Sequence, residues 1–292
     1  IGFNDIRKKA LDDLMITKEF KAEEGLSFET NKGTTIKILP NCLRDISNAT
    51  VLGNVKLSFV EMYDGGNMAI TNKALMGKGN LANLKPLITG GQFNIQVTKG
   101  AEVLTAGCPF YVNVPAALTG GMDDEMKLWF GNINEDGNLE WEENAGENAQ
   151  GKRAGMNPNS ESATYDIWSN QFGWTNVDRF AGDPDPKTQI KVTVPEGYNH
   201  TNSAVYLSYV GEQNMLAQLD TYDSVEKYFS EHYGFLPVGK GVHIIFTSES
   251  NGSIVYAVKT VNIAANTTYN FSAGELALTS KDNLINIINN LN

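Results

Sequence analysis

Two glutamates flank a tryptophan in the segment Leu139-Glu-Trp141-Glu. Glu140 and Glu142 occupy alternate positions of a predicted strand, so their carboxylates lie on the same wet face. A glycosidase usually takes its two carboxylates from different strands across a groove, so this pair does not predict sugar hydrolysis. An indole face can stack on a sugar, although a tryptophan in a strand is more often part of the core. The candidate binding residues are Trp129, Trp141, Glu140 and Glu142.

The same region is acidic and contains the spacing of a calcium loop. Residues 121–147 hold nine acidic residues and one basic residue. The residues that match the loop, with asparagine in place of aspartate at its first position, are Asn132, Asn134, Asp136 and Glu143. Such a loop needs a helix on each side, whereas both flanks alternate as strands, so we favour a plain β-hairpin turn. We expect no cofactor, and calcium is the ion that this pattern leaves open.

The other reactive side chains form no recognisable catalytic pattern. The three histidines, His200, His232 and His243, lie far apart and have no Cys, Asp or Glu at ligand spacing. The sequence has no Gly-x-Ser-x-Gly turn for a serine nucleophile. The net charge of −11, with no basic stripe, argues against a nucleic-acid partner, since phosphate binding needs clustered Lys and Arg. We therefore expect a protein without catalytic activity.

The elements that would position these residues are strands in two consecutive domains. Apolar and polar residues alternate with a period of two, and turn residues recur about every ten residues, which is typical of a β-sandwich. The segment Gly182-Asp-Pro-Asp-Pro186 interrupts this pattern, and all four tryptophans precede it. The sequence predicts an all-β fold with two β-sandwich domains in tandem and a few short helices. The domains are residues 1–181, with an N-terminal helix, and residues 187–292, a smaller domain with short helices starting near Asp223 and Ser280.

An aromatic cluster lies directly before the break and predicts a structural junction between the two domains. A strand over residues 173–180 would place Trp174, Asp178 and Phe180 on one face, and a buried charge on such a face must be paired. We expect this strand to leave its sheet near Asn176, with Trp174 in the first core. The predicted junction residues are Trp168, Trp174, Asp178, Arg179 and Phe180.

Two motifs carry a resemblance to a known kind of bacterial protein. The run Gly33-Thr-Thr-Ile-Lys-Ile-Leu-Pro40, followed by Val55-Lys-Leu-Ser-Phe-Val-Glu61, resembles the opening of a ZU5-like β-sandwich. It has Asn41-Cys42 where that family usually has Gly-Ala. The string Phe172-Gly-Trp-Thr-Asn-Val-Asp-Arg-Phe180 resembles the domain end of uncharacterised exported proteins of gut-type bacteria, in which a second β domain follows. The resemblance implies an exported or envelope protein of two β-sandwich domains and implies no activity.

The remaining features concern location and partners. Cys42 and Cys108 are open to two interpretations, a disulfide or two free buried thiols. No run of about 18 apolar residues predicts a membrane span, and an export signal or lipid anchor would have been removed with the N-terminus. We expect an extracellular or cell-envelope protein that acts by binding or adhesion to an unknown protein or glycan. The alternative is a carbohydrate-binding or sugar-active protein of a polysaccharide-utilisation system.

Overall fold

The structure is a computed structural model, and it describes residues 2–79, 84–144, 154–182, 186–231 and 234–291, so that residues 183–185 of the predicted break lie outside it. The fold is all-β with three short helices, which confirms the predicted all-β class with a few short helices. The helices are α1 (Phe3–Leu14), α2 (Gly65–Thr71) and α3 (Lys281–Asn289). The strands before the break are β1 (Ile16–Lys21), β2 (Leu26–Glu29), β3 (Thr35–Ile38), β4 (Leu43–Arg44), β5 (Asn54–Met62), β6 (Met76–Lys78), β7 (Leu84–Lys99), β8 (Glu102–Val103), β9 (Thr105–Ala106), β10 (Phe110–Pro115), β11 (Lys127–Ile133), β12 (Leu139–Glu143), β13 (Ala154–Asn159), β14 (Thr164–Ser169) and β15 (Gly173–Phe180). The strands after the break are β16 (Lys187–Thr188), β17 (Lys191–Thr193), β18 (Ser203–Tyr209), β19 (Ala217–Gln218), β20 (Thr221–Asp223), β21 (Tyr228–Ser230), β22 (Leu236–Pro237), β23 (Gly241–Ser250), β24 (Ser253–Asn262), β25 (Thr268–Asn270) and β26 (Ala277–Thr279).

Two sheets form the first part of the chain. The larger has the strand order β1-β5-β7-β15-β11-β12-β6, with β8 added beside β7. The smaller has the order β13-β14-β10-β3-β2, and β4 pairs with β9 as a separate ribbon. Apolar side chains of both sheets, among them Phe93 and Ile95 from β7 and Val112 and Ile167 from the smaller sheet, belong to one buried cluster. Each sheet therefore buries one face against the other, as the alternation predicts.

The larger sheet curls back on itself. Strand β6 pairs in parallel with β12 and also pairs antiparallel with β7. Strands β6, β7, β15, β11 and β12 therefore form a closed cycle, which we call the strand ring. Gly131 of β11 lies opposite Trp141 and Trp174, and a Cβ at Gly131 would be 2.8 Å from atoms of both side chains. The close approach of these strands requires glycine at this position.

After the break, the strands form two larger sheets and one small ribbon. Their orders are β20-β21-β17-β25 and β19-β18-β23-β24-β26, and β16 pairs with β22. Every described sheet takes its strands from one side of the break. The halves nevertheless share buried apolar clusters, so the division into domains 1–181 and 187–292 stays a prediction.

All three helices contribute to one of these clusters, which we call the shared cluster. The residues packed there include Phe3 of α1, Met68 of α2, Tyr206 of β18 and Ile288 of α3. The backbone of α2 approaches α3 so closely that a Cβ at Gly66 would lie 2.6 Å from a carbonyl oxygen of α3. Backbone hydrogen bonds also cross between the halves, for example from Leu75 N to Leu216 O at 2.8 Å. The halves are thus joined by a packed and hydrogen-bonded contact.

One predicted helix is absent and one helix was not predicted. The residues after Asp223 form a turn between β20 and β21, in which the Asp223 carboxylate accepts hydrogen bonds from the backbone N–H groups of Val225 and Glu226. The pattern that resembled a helix cap is therefore an aspartate-stabilised turn. Helix α2 was missed because it starts with two glycines, which usually mark a turn. It is capped by Asp64, whose carboxylate accepts from Asn67 N at 2.9 Å.

Cys42 and Cys108 form a disulfide across 66 residues of chain, with their Cα atoms 5.3 Å apart. This settles the interpretation that the sequence left open. The bond lies beside the β4–β9 ribbon, where Gly107 N donates to Cys42 O at 2.7 Å. The disulfide and this hydrogen bond hold two strand ends of the first part together.

Candidate ligand-binding face

The two tryptophans predicted to stack on a sugar are fully buried. Trp129 and Trp141 each have 0% of their surface exposed, on one face of the strand ring. Their indole N–H groups donate to Asp178 O at 2.8 Å and to Ala74 O at 3.2 Å. Phe180 packs edge-on against Trp129 with the ring centroids 5.1 Å apart. Neither indole presents a face to a ligand, so the structure corrects the assignment of these two residues as a binding surface.

The glutamates beside Trp141 share one lysine. Lys78 Nζ lies 3.3 Å from Glu140 Oε2 and 2.7 Å from Glu142 Oε1. The other Glu140 oxygen accepts a hydrogen bond from Asn134 Nδ2 at 2.8 Å. Both carboxylates do lie on one face, as predicted, yet they are held in ion pairs at the surface, which contribute little to stability.

The predicted calcium residues belong to an ordinary hairpin between β11 and β12. Asn134 Oδ1 accepts from the backbone N–H groups of Asp136 and Asn138 and so closes the turn. In the β11–β12 hairpin, Asn132 lies opposite Glu140, one position from the turn. Glu143 lies at the other end of the hairpin, where its Oε1 forms an ion pair with Lys127 Nζ at 2.7 Å. The four residues are therefore not brought around one point. Within the described ranges, no group of three or more His, Cys, Asp or Glu could hold a metal ion.

The predicted junction residues fall in two places. Trp174, Asp178, Arg179 and Phe180 belong to β15, which pairs with β11 as far as Asp178 and with β7 as far as Phe180, with a register shift at Val177/Asp178. The expectation that the strand leaves the sheet near Asn176 is therefore wrong, because both neighbours continue to pair with it. Trp174 and Phe180 pack at the edge of the shared cluster, against the buried tryptophans. Arg179 Nε donates to Asp123 Oδ2 at 2.6 Å. Trp168 is elsewhere, on β14 of the smaller sheet.

Asp178 is a completely buried carboxylic acid. Burial raises its pKa well above the usual value, and the hydrogen bond from Asn176 opposes that shift only in part. Asn176 Nδ2 donates to Asp178 Oδ2, while Asp178 Oδ1 has no hydrogen-bond partner among the described residues. A raised pKa means that the folded chain holds this proton at pH values where the unfolded chain releases it.

The Asp178→Asn variant is expected to be more stable than the wild type at pH 7. For a carboxyl with a raised folded pKa, the stability present below the unfolded pKa of about 3.9 is lost as the pH rises toward the folded value. Asparagine has the same shape and no charge, so it removes this loss. Urea unfolding between pH 4 and pH 8 measures the effect, with the exposed Glu161→Gln as the control. Equal pH slopes in Asp178→Asn and wild type would show that Asp178 is ionised in the fold.

An exposed aromatic pair lies on the outer face of the smaller sheet. Tyr111 of β10 is directly opposite Trp168 of β14, and Trp168 is directly opposite Gly155 of β13. Tyr111 is 39% exposed and Trp168 is 37% exposed. A Cβ built at Gly155 would lie 2.2 Å from Trp168 Cζ2, 2.6 Å from Cε2 and 2.9 Å from Cη2, which places it above the indole plane. One indole face therefore rests on the glycine backbone, and the other face is turned outward.

A row of polar side chains borders this pair. Asp166 is two residues from Trp168 on β14, so it lies on the same outer face. Its Oδ1 accepts from Asn113 Nδ2 at 2.6 Å and from Thr164 Oγ1 at 2.7 Å, and its Oδ2 accepts from Asn159 Nδ2 at 2.8 Å. Partial burial works to raise the Asp166 pKa, but the three hydrogen bonds outweigh it and the pKa is lowered. The row is thus a fixed set of amides and a hydroxyl around a charged acceptor. We call Tyr111, Trp168, Gly155 and this polar row the aromatic face.

The aromatic face was missed at the sequence level, although its signal is present. In the strand from Phe110 to Pro115, Tyr111 lies between the buried Phe110 and Val112, and in β14 Trp168 lies between the buried Ile167 and Ser169. Strict alternation with a period of two places both aromatic side chains outward. The clustering of Trp168 with Trp174 and Phe180 in the sequence favoured a buried junction instead. Trp168 belongs to the smaller sheet, whereas Trp174 and Phe180, which follow it closely in the sequence, belong to the larger sheet.

No protein-family model matches this chain, and no curated protein is similar enough to be a relative. Within the residues that the structure covers, no helix has both the length and the apolar character needed to span a membrane.

Proposed function

We propose that this chain is a non-catalytic binding protein that works outside the cell or in a bacterial envelope and holds a carbohydrate on the aromatic face. The observation that carries the proposal is the position of Trp168, whose indole is supported on one side by Gly155 and exposed on the other. An aromatic side chain held in this way is pre-organised, so binding costs little side-chain ordering. Sugars offer apolar C–H faces that fit such an indole.

The border of the aromatic face supports the same ligand class. Sugars carry hydroxyl groups around an apolar ring face, and each hydroxyl both donates and accepts hydrogen bonds. Asn113 and Asn159 each keep one amide N–H beyond the hydrogen bond to Asp166, and Asp166 is a charged acceptor between them. An apolar platform with a fixed polar border fits a sugar, which has hydroxyl groups around an apolar ring face, better than it fits a uniformly apolar partner.

Three features support the other parts of the proposal. The glutamates that could have formed a hydrolytic pair are tied to Lys78, which favours binding without catalysis. The disulfide between Cys42 and Cys108 is typical of proteins outside the reducing cytosol. The resemblance to exported proteins points to the same location.

Adhesion to a protein partner is a second candidate, favoured by an exposed apolar group at one end of the first part. Ile46 is 96% exposed, Leu52 is 56% exposed and Val103 is 54% exposed. Glu102 Oε1 accepts from Ile46 N at 3.1 Å, which brings the loop of Ile46 next to Val103. Exposed apolar groups of this kind often mark protein contacts. This group lies on different elements from the aromatic face, so the two candidates can be tested separately.

Replacing Trp168 by alanine is expected to weaken carbohydrate binding by about tenfold or more, because one stacking contact of about 1.4 kcal/mol corresponds to that factor. Calorimetry with hydroxyethylcellulose, xylan, galactomannan and glycogen first identifies the polysaccharide that binds. The variants Trp168→Ala, Trp168→Phe and Leu278→Ala are then compared on it, the last being an exposed apolar control on β26.

We expect Trp168→Phe to keep part of the affinity, since it keeps an aromatic face, and Leu278→Ala to keep all of it. The free energy of unfolding of Trp168→Ala should fall by no more than about 1 kcal/mol, because the side chain is at the surface. The proposal fails if the wild type binds a polysaccharide and Trp168→Ala binds it equally well. If the wild type binds no member of a wide glycan panel, adhesion to a protein is favoured instead.

A further inference from the structure

Asp166 places a negative charge on the aromatic face that no positive charge offsets. Its three hydrogen-bond donors, Asn113, Thr164 and Asn159, are all neutral. No Lys, Arg or His of the described ranges forms an ion pair with it, and the hydrogen bonds alone lower its pKa. The aromatic face therefore contains an ionised acceptor that is held in place and lacks a counter-charge.

The register of the smaller sheet explains why no cation reaches this carboxylate. Asp166 lies opposite Asn113 of β10 and Asn157 of β13, so both of its cross-strand neighbours are amides. The cation at the described outward positions of this sheet is Lys37, which lies opposite Tyr111 on β3, two strands away from β14. The outward positions of β2 add a further acid, Glu29. The outer face of this sheet therefore has an excess of negative charge.

The carboxylate and the exposed indole lie on the same side of the sheet. Asp166 and Trp168 alternate with Tyr165 and Ile167, which are 0% and 2% exposed and so point into the core. Two residues of a strand span about 6.6 Å, so a ring stacked on the outer face of Trp168 has its edge near Asp166. Asp166 is only partly buried. Its Oδ1 accepts two hydrogen bonds and its Oδ2 accepts one, which leaves Oδ2 able to accept another.

The chemical group that fits both neighbours is an ammonium. The face of an indole attracts a cation, and tryptophan does so more strongly than the other aromatic side chains. A carboxylate accepts a stronger hydrogen bond from a charged donor than from a neutral hydroxyl or amide. An anionic substituent would instead be repelled by Asp166. Among sugars, an ammonium group occurs on amino sugars that are not acetylated.

We infer that the aromatic face binds a glycan with an unacetylated amino sugar, whose ring stacks on Trp168 while its ammonium group donates to Asp166 Oδ2. The inference rests on the proposed function, because it names the ligand class of the same face. A neutral sugar binds in the same place by stacking and neutral hydrogen bonds, with lower affinity. Because Asn113, Thr164 and Asn159 already hold the carboxylate, the ligand does not have to order it.

The test uses three hexasaccharides that share one backbone and differ in one substituent of each sugar. Cellohexaose has a hydroxyl there, chitohexaose an acetamide, and the fully unacetylated chitosan hexasaccharide an ammonium. Calorimetry is done at pH 5.5 and 0.15 M salt, where charges farther apart than about 8 Å are screened. We expect the chitosan hexasaccharide to bind at least about tenfold more tightly than the other two, the factor for one charge-assisted hydrogen bond.

Two variants show whether Asp166 causes this preference. Asp166→Asn keeps the shape of the side chain and removes its charge, so we expect the preference for the chitosan hexasaccharide to be lost. Glu19→Gln is the matched control, since Glu19 is an exposed acid on β1 of the larger sheet. This control should keep the preference. The comparison of the three hexasaccharides on the wild type does not depend on the folding of either variant.

The outcomes separate this inference from the proposed function. Equal or absent binding of the three hexasaccharides by the wild type overturns the inference. A preference that persists in Asp166→Asn also overturns it, since the net charge of the chain would then be the cause. In both cases the carbohydrate face stands if Trp168→Ala weakens binding of the polysaccharide identified above, and falls if it does not. If hexalysine binds as tightly as the chitosan hexasaccharide, and loses affinity in Trp168→Ala, the ligand is a cationic protein segment and the amino-sugar class is contradicted.

Discussion

The Trp141→Ala variant is expected to lose about 3–5 kcal/mol of unfolding free energy, because it leaves a large cavity in a region without solvent. Trp141 is 0% exposed, and its indole N–H donates to Ala74 O at 3.2 Å. Trp174 packs edge-on against Trp141 with the ring centroids 6.4 Å apart. Truncation removes the packing and leaves the carbonyl of Ala74 without its donor. The variant therefore combines a cavity with an unpaired buried acceptor.

Equilibrium unfolding in urea, followed by circular dichroism, measures this loss. Trp168→Ala is the matched control, since it removes the same side chain from the surface of the other sheet. A difference of at least about 2 kcal/mol between the two variants is expected from the range for buried and exposed sites. Equal and small losses of unfolding free energy in both variants would contradict the burial of Trp141 in the strand ring.

The second large effect is expected from the disulfide. Removing it in the double variant Cys42→Ser and Cys108→Ser should lower the free energy of unfolding by about 4 kcal/mol, the chain-entropy value for a loop of this size. The loop spans 66 residues and includes β5, α2, β6 and β7, so the cross-link restricts much of the unfolded first part.

Urea unfolding of the wild type with and without a thiol reductant, beside the double variant, measures this effect. Reductant should shift the wild type to the midpoint of the double variant and should not move the variant itself. An unchanged wild-type midpoint under reductant, with free thiols demonstrated after unfolding, would contradict the expected contribution.

Local alternation predicted the strands well, but it could not show that another strand covers the face of Trp141. The pattern around Trp141 gave the correct strand β12 and the correct common face for Glu140 and Glu142. Burial of Trp141 depends on β6, which pairs with β12 from about sixty residues earlier and closes the strand ring. Such long-range pairing leaves no mark in the period of a single strand. The sugar site was therefore placed on tryptophans that tertiary structure covers.

The candidate site shows the opposite case, in which local pattern was sufficient but a competing signal was stronger. Alternation in β10 and β14 places Tyr111 and Trp168 outward, and only the density of aromatic residues after Trp168 suggested burial. The sequence could not show that Gly155 lies under the Trp168 indole, because this contact depends on the pairing of β13 with β14. The same holds for Asp178, which pairs with β11 on one side and with β7 on the other.

The measurement that tests the central claim most directly is a titration of the chain with the polysaccharide that binds in calorimetry, followed through the indole N–H signals of the four tryptophans in a nitrogen-15 correlation spectrum. Trp168 is assigned by its loss in Trp168→Phe. We expect the Trp168 signal to shift in a saturable manner, with the same Kd as calorimetry, and the signals of the buried Trp129 and Trp141 to stay in place. A Trp168 signal that does not move at saturation would contradict a carbohydrate site on the aromatic face.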